Sequence, residues 1–564
     1  MKKRYILLAA LLGTSFLQTQ AQLDRTVVVE NIYNPDIMNA NKINVLPTPE
    51  EPQTNQAEIE YATALRPVNE FDFCPMANWG TTPEQEAAKR GYLRAGYGTG
   101  GNVDARLNYL FDLSKNDKLN TSFSLRGMNG TIDLPSDASI KEWDARSYRT
   151  RGRLDWLHRF EKLNFGISAE GESQVFNYIR YSNLGNNHQH NTLGSLQATI
   201  SSNDHTARIR FKAGTGVLYG SQKYAYGYWD DKSERYSETI IRTNGLVTGD
   251  INETSNINIA AQMDNVFIYS KGEGRDVSYT SLQLNPYYQA TGEKWKARIG
   301  AHIDPLLGNG HATCKFAPDL YGEYSLTKDY LVYAEVGGGR QINDFRRINQ
   351  FNPYSTPYRY KFNNYPSNPG YYARTDTYTP INGQLGVKAH PVKDLNLRIF
   401  GGYRISDNEL FCSQYTTSIS ASRVTHACMM QGDATAIYAG ATIQYTWKDI
   451  FTTQAELEWN KWDSDILDKY PTLHPEMSLH WNASLQPVKN LRIGLDYKFE
   501  QRCKTVQGER PDAMNNLGAT VSYQFLPWLT AYVQGDNLLN QKYYQYILYP
   551  AQGFNALIGV AMEF

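Results

Sequence analysis

No apolar run in this sequence is long enough to cross a membrane as a helix. After residue 17, no stretch approaches the roughly 18 continuous apolar residues that a spanning helix requires, and the run at residues 5–17 is too short to act as an anchor. Helical membrane spans are therefore excluded. A strong charge of one sign is also missing: the formal net charge is −1, which gives no basis for binding a nucleic acid.

Cysteine is scarce and shows no metal-binding spacing. The chain has 5 cysteines and no CxxC pair, and they lie at Cys74, Cys314, Cys412, Cys428 and Cys503. Cys412 and Cys428 fall in one predicted loop, so they are candidates for a disulfide in an oxidising compartment. The alternative interpretation leaves all five thiols free or buried.

Motifs of enzymes and of closed metal sites are likewise absent. The sequence has no nucleophile elbow, HExxH, P-loop or strand-to-helix GxGxxG, so we predict no enzyme activity and no cofactor. His188 and His190 supply two imidazoles without a carboxylate or thiolate nearby. Asp463, Asp465 and Asp468 have a calcium-like spacing but no turn glycine and no closing glutamate. We predict no metal site and interpret both groups as exposed polar residues.

The two ends of the chain indicate export and insertion into a membrane. Three basic residues at positions 2–4 precede the apolar run and a small-residue site at 19–21, which predicts a signal peptide over residues 1–21. At the other end Ile558, Val560 and Met562 share one face of a strand, and the chain stops at Phe564. An apolar face that ends on an aromatic residue is typical of the closing strand of an outer-membrane barrel.

Between these ends, short segments alternate between apolar and polar side chains. The alternation is clear at residues 206–213, 295–301, 451–459 and 491–499. Strands of roughly 9–13 residues can cross a membrane at a tilt. The 41 tyrosines fit a wall that is apolar outside, wet inside and ringed by interfacial aromatic residues.

Tight polar turns between the strands set the strand count. We place ten of them near residues 115–118, 161–162, 202–205, 252–255, 292–294, 327–329, 392–394, 448–449, 488–490 and 526–527. Ten turns that each join two strands, together with a first and a last strand, predict 22 strands, within a range of about 20–24. The predicted fold is all-β: a transmembrane antiparallel β-barrel over residues 91–564, in the outer membrane of a Gram-negative bacterium and surrounded by its lipid.

Longer segments alternate with these turns and are predicted to be extracellular loops. They include residues 128–146, 173–191, 215–234, 338–377, 406–432 and 538–552. The longest is crowded with tyrosine and arginine, which dominate binding hot spots. Its candidate ligand-binding residues are Arg346, Arg347, Tyr354, Tyr358, Tyr360, Tyr371 and Tyr372.

The polar faces of the strands predict a charged lumen. Five basic residues should face inward: Arg208, Arg210, Lys212, Lys296 and Arg298. They could attract an anionic solute, or they could pair with luminal acids such as Glu456, Glu458 and Asp496 or with a plug-like segment. We favour pairing, because a wet lumen accommodates charges of both signs.

The carboxy-terminal hairpin resembles that of TonB-dependent outer-membrane receptors. The residues that carry the resemblance are Asp536-Asn537-Leu538-Leu539-Asn540, Lys542-Tyr543-Tyr544, Pro550, Gly553 and Phe554. The segments at 352–354 and 382–388 are similar to that family's mid-barrel pattern, and the strand count agrees with it. This resemblance implies ligand binding and uptake across the outer membrane, energised by a TonB-type protein.

The amino-terminal segment departs from the family. Those receptors place a folded plug domain before the barrel, whereas residues 22–90 are few and rich in Pro, Asn and Glu, so we predict an extended periplasmic or luminal segment without a full plug. Within it, Thr26, Val27, Val28 and Val29 resemble the TonB box, the short segment that pairs with a strand of TonB. The alternative is a β-prone stretch that pairs with the barrel or with another partner.

Two functions remain open on sequence alone. The first is an uptake receptor that lacks the usual plug. The second is a non-transport barrel subunit of an outer-membrane assembly or secretion complex, whose lumen another envelope protein occupies or caps. A barrel of this size needs something in its lumen, because inward side chains alone do not fill it.

Overall fold

The structure is a computed structural model that describes residues 89–564. Within that range it leaves out 135–140, 180–186, 205, 225–235, 271–275, 309–310, 356–358, 362–369, 373–374, 420–421, 449, 468–471 and 505–509. Side chains are also left out at 270, 311, 359–361, 370–372, 415–419 and 422–426. The predicted signal peptide and the segment at 22–88 therefore lie outside the described residues.

The described chain forms 26 strands. The first half contains β1 Gly91–Gly98, β2 Val103–Asp112, β3 Asp117–Asp133, β4 Glu142–Arg159, β5 Leu163–Asn177, β6 His188–Ser202, β7 Ile209–Gln222, β8 Tyr236–Asn252, β9 Ser255–Ser270, β10 Val277–Thr291, β11 Trp295–Gly308, β12 His311–Ser325 and β13 Tyr330–Gln341. The second half contains β14 Arg359–Lys361, β15 Gly370–Tyr372, β16 Thr377–Ala389, β17 Leu395–Ile419, β18 Ser422–Trp447, β19 Phe451–Ser464, β20 Pro475–Val488, β21 Leu491–Arg502, β22 Met514–Leu526, β23 Leu529–Asp536, β24 Tyr544–Tyr546, β25 Tyr549–Pro550 and β26 Asn555–Glu563.

Helical structure is limited to two short elements in the described residues. A 3₁₀ turn covers Thr99–Gly101, and helix α1 covers Phe345–Phe351. Neither is long and apolar enough to cross a membrane.

One antiparallel sheet closes on itself to form the wall. It holds 24 strands, of which β14 and β15 form a small hairpin within a connection, so 22 strands make the barrel. β1 pairs with β26, from Tyr92 opposite Glu563 to Gly98 opposite Leu557. The N–H groups of Arg90 and Gly91 donate to the Phe564 carbonyl at 2.8 and 2.6 Å. The predicted 22-strand barrel and its closing strand are confirmed.

The outer face of the wall is apolar. Ile558 is 67 % exposed and Phe564 55 % exposed, as is expected of side chains that face lipid rather than a core. Exposed aromatic residues gather beside the short turns, at Phe111, Phe160, Tyr288, Trp295, Tyr324, Tyr330, Trp447, Phe525, Trp528 and Phe564. Such a ring is an interfacial girdle of a membrane barrel. In these barrels the short turns lie on the periplasmic side, so this edge of the wall is the periplasmic one.

All ten predicted turns coincide with connections between wall strands, but the predicted strand lengths are wrong for many strands. β17 and β18 contain 25 and 26 residues, and they include most of the predicted loop 406–432.

A register shift between Ser406 and Glu409 interrupts the β17–β18 hairpin, and Asn408 there has a φ of 54°. A bulge of this kind bends the strand pair. Beyond it, Leu410 and Phe411 are both fully buried, whereas a flat strand would bury only one of two neighbours.

A charge placed on the lipid face tests the orientation of the wall. Val521 is 45 % exposed and lies opposite Ile493 and Val533. We expect Val521→Arg to reduce the free energy of unfolding in lipid vesicles by about 2–4 kcal/mol, because a lipid-facing arginine is costly near the midplane. The control is Gln524→Arg on the inward face of the same strand, which should change little in urea titrations. Equal effects of the two variants would contradict the assigned faces.

Candidate functional site at the barrel mouth

The connection from β13 to β16, residues 342–376, is the main feature of the extracellular mouth. Near its end β13 contains Gly337-Gly338-Gly339, where its register with β16 shifts before the pairing resumes up to Gln341. A side chain at Gly338 would collide with the Thr379 carbonyl oxygen and would lie 2.7 Å from Ala317 Cβ. Gly339 has a φ of +123°. The chain can therefore approach the inner wall here only with glycine. We call residues 342–355 the lid.

Helix α1 forms the centre of the lid. Asp344 caps it, since its carboxylate accepts a hydrogen bond from the Arg347 N–H at 2.8 Å. Phe345 packs in an apolar cluster with Tyr236 and Ile240 of β8. One turn further along, Ile348 packs against Leu410 and Met429 of the β17–β18 hairpin.

Two adjacent arginines of α1 reach opposite sides of the barrel. Arg346 forms an ion pair with Glu170 of β5 at 2.8 Å, and Arg347 lies 3.9 Å from Glu409 of β17. In the wall β5 is the fifth strand and β17 the fifteenth, so they are ten strands apart in a ring of 22. The lid therefore spans the mouth, and the bent β17–β18 hairpin meets it from the far side.

The surroundings of the two arginines shift their pKa values in opposite directions. Burial disfavours the charge of Arg346, but the Glu170 carboxylate outweighs burial and raises the pKa of the guanidinium. Burial lowers the pKa of Arg347 to about 10, because the more distant Glu409 compensates only in part. Both side chains remain cationic at neutral pH, and Arg346 is held more firmly.

Amide side chains continue the contact between the lid and the wall. Asn349 donates to the Gln174 carbonyl oxygen of β5 at 2.7 Å and accepts from Asn191 of β6 at 3.1 Å. The backbone N–H of Phe345 donates to Glu238 of β8 at 2.9 Å. These polar contacts fix the position of the lid together with the apolar contacts of Phe345 and Ile348.

An aromatic cluster joins the lid to a second connection, residues 537–554. Tyr354 stacks on Tyr549 with ring centroids 3.8 Å apart and an interplanar angle of 10°. Its edges meet Trp143 at 5.9 Å and Phe176 at 5.0 Å. Burial raises the pKa of Tyr354 well above its usual value. The two connections thus close the mouth as one unit.

The structure brings some predicted ligand-binding residues together and leaves others undescribed. Arg346, Arg347 and Tyr354 all lie in the lid, where they contact the wall rather than form an open recognition surface. Tyr358 lies outside the described residues, and for Tyr360, Tyr371 and Tyr372 only the backbone is described, in β14 and β15. The TonB-box-like residues Thr26, Val27, Val28 and Val29 also lie outside the described chain.

The predicted disulfide is not formed. Cys412 and Cys428 are both free thiols. Their strands are paired so that Cys412 faces Met429 and Cys428 faces Ser413. Residues offset by one position point to opposite faces of a sheet, so the register separates the two sulfur atoms although they are neighbours in the hairpin.

The candidate metal residues occupy strands and turns rather than one site. His188 and His190 lie in β6, not in a loop, and His190 Nε2 is 2.9 Å from Ser173 Oγ. Asp463 lies in β19, Asp465 follows it, and Asp468 is outside the described residues. Among the described side chains, no group of three His, Cys, Asp or Glu residues is arranged to hold a metal ion.

Of the five basic residues predicted to face the lumen, Arg210 and Arg298 form ion pairs with acids on neighbouring strands. Arg210 pairs with Asp250, and Arg298 pairs with Asp319, each at 2.8 Å. Asp496 is 2.8 Å from His480. Glu456 and Glu458 instead accept hydrogen bonds from Gln454 and Asn460 at 2.8 and 3.0 Å. The predicted pairing partners were wrong because they belong to distant strands of the wall.

Sequence reasoning missed the acids that hold the lid. Glu170 and Glu172 face Arg149, Arg151 and Arg153 across β4 and β5. Two acids at alternate positions opposite three alternate arginines are a visible signal of a luminal charge ladder. Nothing in the sequence indicates that Arg346 joins this ladder from 176 residues away.

Comparisons with known proteins agree on the fold. No protein-family model and no curated protein sequence matches the chain. Among solved structures, the copper transporter OprC covers 84 % of this chain and 82 % of its own, at 11 % identity and a TM-score of 0.64. The siderophore receptor PirA from Acinetobacter baumannii matches 84 % of this chain and 80 % of its own at 8 % identity and TM-score 0.64, and the FrpB iron transporter from Neisseria meningitidis matches 84 % and 81 % at 9 % identity and TM-score 0.64.

The protein is an outer-membrane β-barrel. At such low identity the likeness shows the fold of this outer-membrane barrel and does not extend to a ligand.

The Arg346–Glu170 pair should hold the lid measurably. We expect a double-mutant cycle of Arg346→Ala and Glu170→Ala to give a coupling of about 1–3 kcal/mol, because Glu170 is largely desolvated. The measurement is the protection of lid amides against hydrogen exchange.

The matched control is the exposed pair of Arg510 and Glu476, at 2.6 Å, for which we expect less than about 1 kcal/mol. A coupling for Arg346 and Glu170 no larger than that of the control pair would contradict their role in holding the lid.

His474 should make the hairpin side of the mouth sensitive to acid. Its ring lies 5.0 Å from Phe411 and 4.4 Å from Trp462, and burial lowers its pKa from 6.5 to about 4. When the mouth opens, His474 is exposed to water and takes up a proton at a higher pH than it does in the closed state. The neutral buried ring therefore stabilises the closed state fully above pH 6.5, and this stabilisation is lost as the pH falls towards 4. At about 1.4 kcal/mol per pKa unit the loss approaches roughly 3 kcal/mol.

Limited proteolysis of the β17–β18 hairpin between about pH 7.5 and about pH 4.5 measures this loss. Cleavage should rise on acidification, and His474→Phe should remove most of the rise. His158→Gln is the control, because His158 pairs with Asp117 near the short turns and should leave the rise in place. A rise that persists in His474→Phe would assign the effect to another group.

Proposed function

We propose that this protein is an outer-membrane receptor that binds a solute at its extracellular mouth and admits it to the periplasm. The observation that carries the proposal is the lid, which crosses the mouth and is held on both sides of the barrel by single charged side chains. The structural neighbours named copper transporter, siderophore receptor and iron transporter support a role in uptake.

The chemistry of the lid favours reversible closure. Its polar contacts with the wall are an ion pair at 2.8 Å, a longer one at 3.9 Å and a few amide hydrogen bonds, and they stand beside the apolar contacts of Phe345 and Tyr354. Polar contacts of this kind exchange readily for contacts with water or with a ligand, since their net contribution is modest. A barrel that served only as a scaffold would gain more from a dry, apolar closure.

A TonB-type protein is the proposed energy source, acting on residues 25–30. The first described residues support access from the periplasm: Lys89 Nζ lies 2.9 Å from Glu563, and Arg90 donates to Phe564 at the edge with the short turns. A strand of the partner would pair with Thr26–Val29 by β-augmentation. We also propose that residues 22–90 form no full plug domain.

Depletion of solutes from growth medium tests the function even though the ligand is unidentified. We expect a strain that lacks the protein to leave one solute or a related set unconsumed, and the full chain to restore its depletion. Val27→Pro should fail to restore it, because proline removes a backbone donor from the pairing strand. Val45→Pro, in the same segment, is the matched control and should restore it.

Two results would contradict the proposal. Identical depletion profiles for the wild-type and deletion strains would show that the protein takes up none of the solutes in the medium. Purification in gentle detergent with a stoichiometric envelope protein would favour the alternative, a structural subunit of an assembly or secretion complex.

A further inference from the structure

A strip of polar side chains lines the inner wall beneath the base of the lid. Ser281 lies opposite Leu306 and Leu284 lies opposite Ile303, so the register places Gln283 of β10 directly across from Asp304 of β11. Side chains two residues apart share a face. Ser281, Gln283 and Asp304 therefore face the lumen together, and Tyr378 of β16 completes the strip.

These groups are buried without side-chain hydrogen-bond partners among the described residues. Asp304 and Ser281 are fully buried. The Ser281 hydroxyl has no hydrogen bond, and the Asp304 carboxylate receives none from a side chain, only from the nearby backbone N–H of Arg340. The Gln283 Nε2 and the Tyr378 hydroxyl lack hydrogen bonds as well. Buried polar groups are almost always hydrogen-bonded in native proteins, so a cluster of exceptions on one part of the wall indicates that their partners bind from outside the chain.

The neighbouring charges do not satisfy Asp304. Arg340 lies beside it, but its Nη2 donates to the Asp304 backbone carbonyl at 3.3 Å and its Nη1 is 3.7 Å from Asp376. Lys315, across the strand pair, donates instead to Asp407 at 2.6 Å. Lys315 is thus directed elsewhere, and Arg340 acts on the carboxylate through its charge and its backbone N–H, so the carboxylate still has acceptor positions for a ligand.

The end of β13 that leads into the lid lies against Asp304. A side chain at Gly339 would lie 3.5 Å from His302 Cγ and 3.6 Å from Asp304 Oδ2. The backbone of the Gly337–Gly339 segment therefore lies against Asp304. β13 stays paired with β16 up to Gln341, so a movement of the lid beyond that residue would open the way from the extracellular mouth to the strip.

We propose that this strip, Ser281, Gln283, Asp304 and Tyr378, is a binding site for a neutral, hydroxyl-rich solute of the carbohydrate class; the inference rests on the proposed uptake function. A sugar hydroxyl both donates and accepts. Neighbouring hydroxyls can donate to the two oxygens of Asp304 while they accept from Gln283 and Tyr378. The strip offers donors and acceptors in one place, which matches this chemistry.

Charged solutes fit the strip less well. An organic cation would satisfy Asp304 but would meet Arg340 and Lys315, and it could not accept from the Gln283 amide. An anion would meet Asp304 and Asp376. A neutral solute avoids both like-charge contacts, which are costly where water is excluded.

Binding of defined probes to the purified full-length protein tests the assignment. The probes are an array of neutral oligosaccharides, with acidic oligosaccharides and a ferric catecholate complex for comparison. We expect a subset of neutral oligosaccharides to bind, and Asp304→Asn to weaken that binding about tenfold or more, because hydrogen bonds to a charged group are strong. Gln283→Ala should weaken it by a smaller factor.

The matched control is Asp496→Asn, an inward carboxylate already held by His480, which should bind the probes as the wild type does. Asp304→Asn should also keep or raise the melting temperature, since it removes a buried charge that Arg340 compensates only in part.

Three outcomes would overturn the inference: binding of the charged probes alone, neutral binding that Asp304→Asn leaves unchanged, or no probe bound. If solute depletion still required the protein in those cases, the proposed uptake function would be retained and only the assignment of a carbohydrate ligand would be rejected. A melting temperature several degrees lower in Asp304→Asn would also overturn it, since the carboxylate would then be structural.

Discussion

Every backbone N–H and C=O group inside the hydrocarbon must find its partner within the protein, because lipid offers none. A sheet meets this demand only by closing on itself. Here the sheet is closed by the pairing of β1 with β26 and by the backbone hydrogen bonds from Arg90 and Gly91 to the last residue, Phe564. The rest of the architecture follows from that ring of 22 strands, including the apolar outer face and the aromatic girdle beside the short turns.

Closure with so many strands creates a lumen that inward side chains cannot fill, so the mouth needs its own structure. The chain supplies it by bending two elements inward. The glycines at 337–339 turn the β13 connection against the wall, and the bulge at 406–409 bends the β17–β18 hairpin towards it. The two meet around Ile348, Leu410 and Met429, while charged and amide groups fix the lid to β5, β6 and β8. Apolar clusters and polar contacts together close the mouth, and the polar contacts are those for which a solute can compete.

The wall was predictable from sequence because its signals are local. Period-two alternation, polar turns such as 115–118 and the apolar face that ends at Phe564 depend only on neighbouring residues. The mouth was not predictable in the same way. The pairing of Arg346 with Glu170 joins residues 176 positions apart, and no single sequence displays it. The burial of both Leu410 and Phe411 breaks the alternation, and only the bulge before them explains it. The adjacent apolar pair was the one local signal that 406–432 is not an ordinary loop.

Uptake through this barrel requires that the lid moves. Distances between spin labels at Gln350 on α1 and at Thr215 on β7, recorded by double electron–electron resonance in native outer-membrane vesicles, test that movement most directly. We expect a single short distance in vesicles washed free of solutes and a second, longer population after the solutes of the growth medium are added. One unchanged short distance under both conditions would contradict a moving lid.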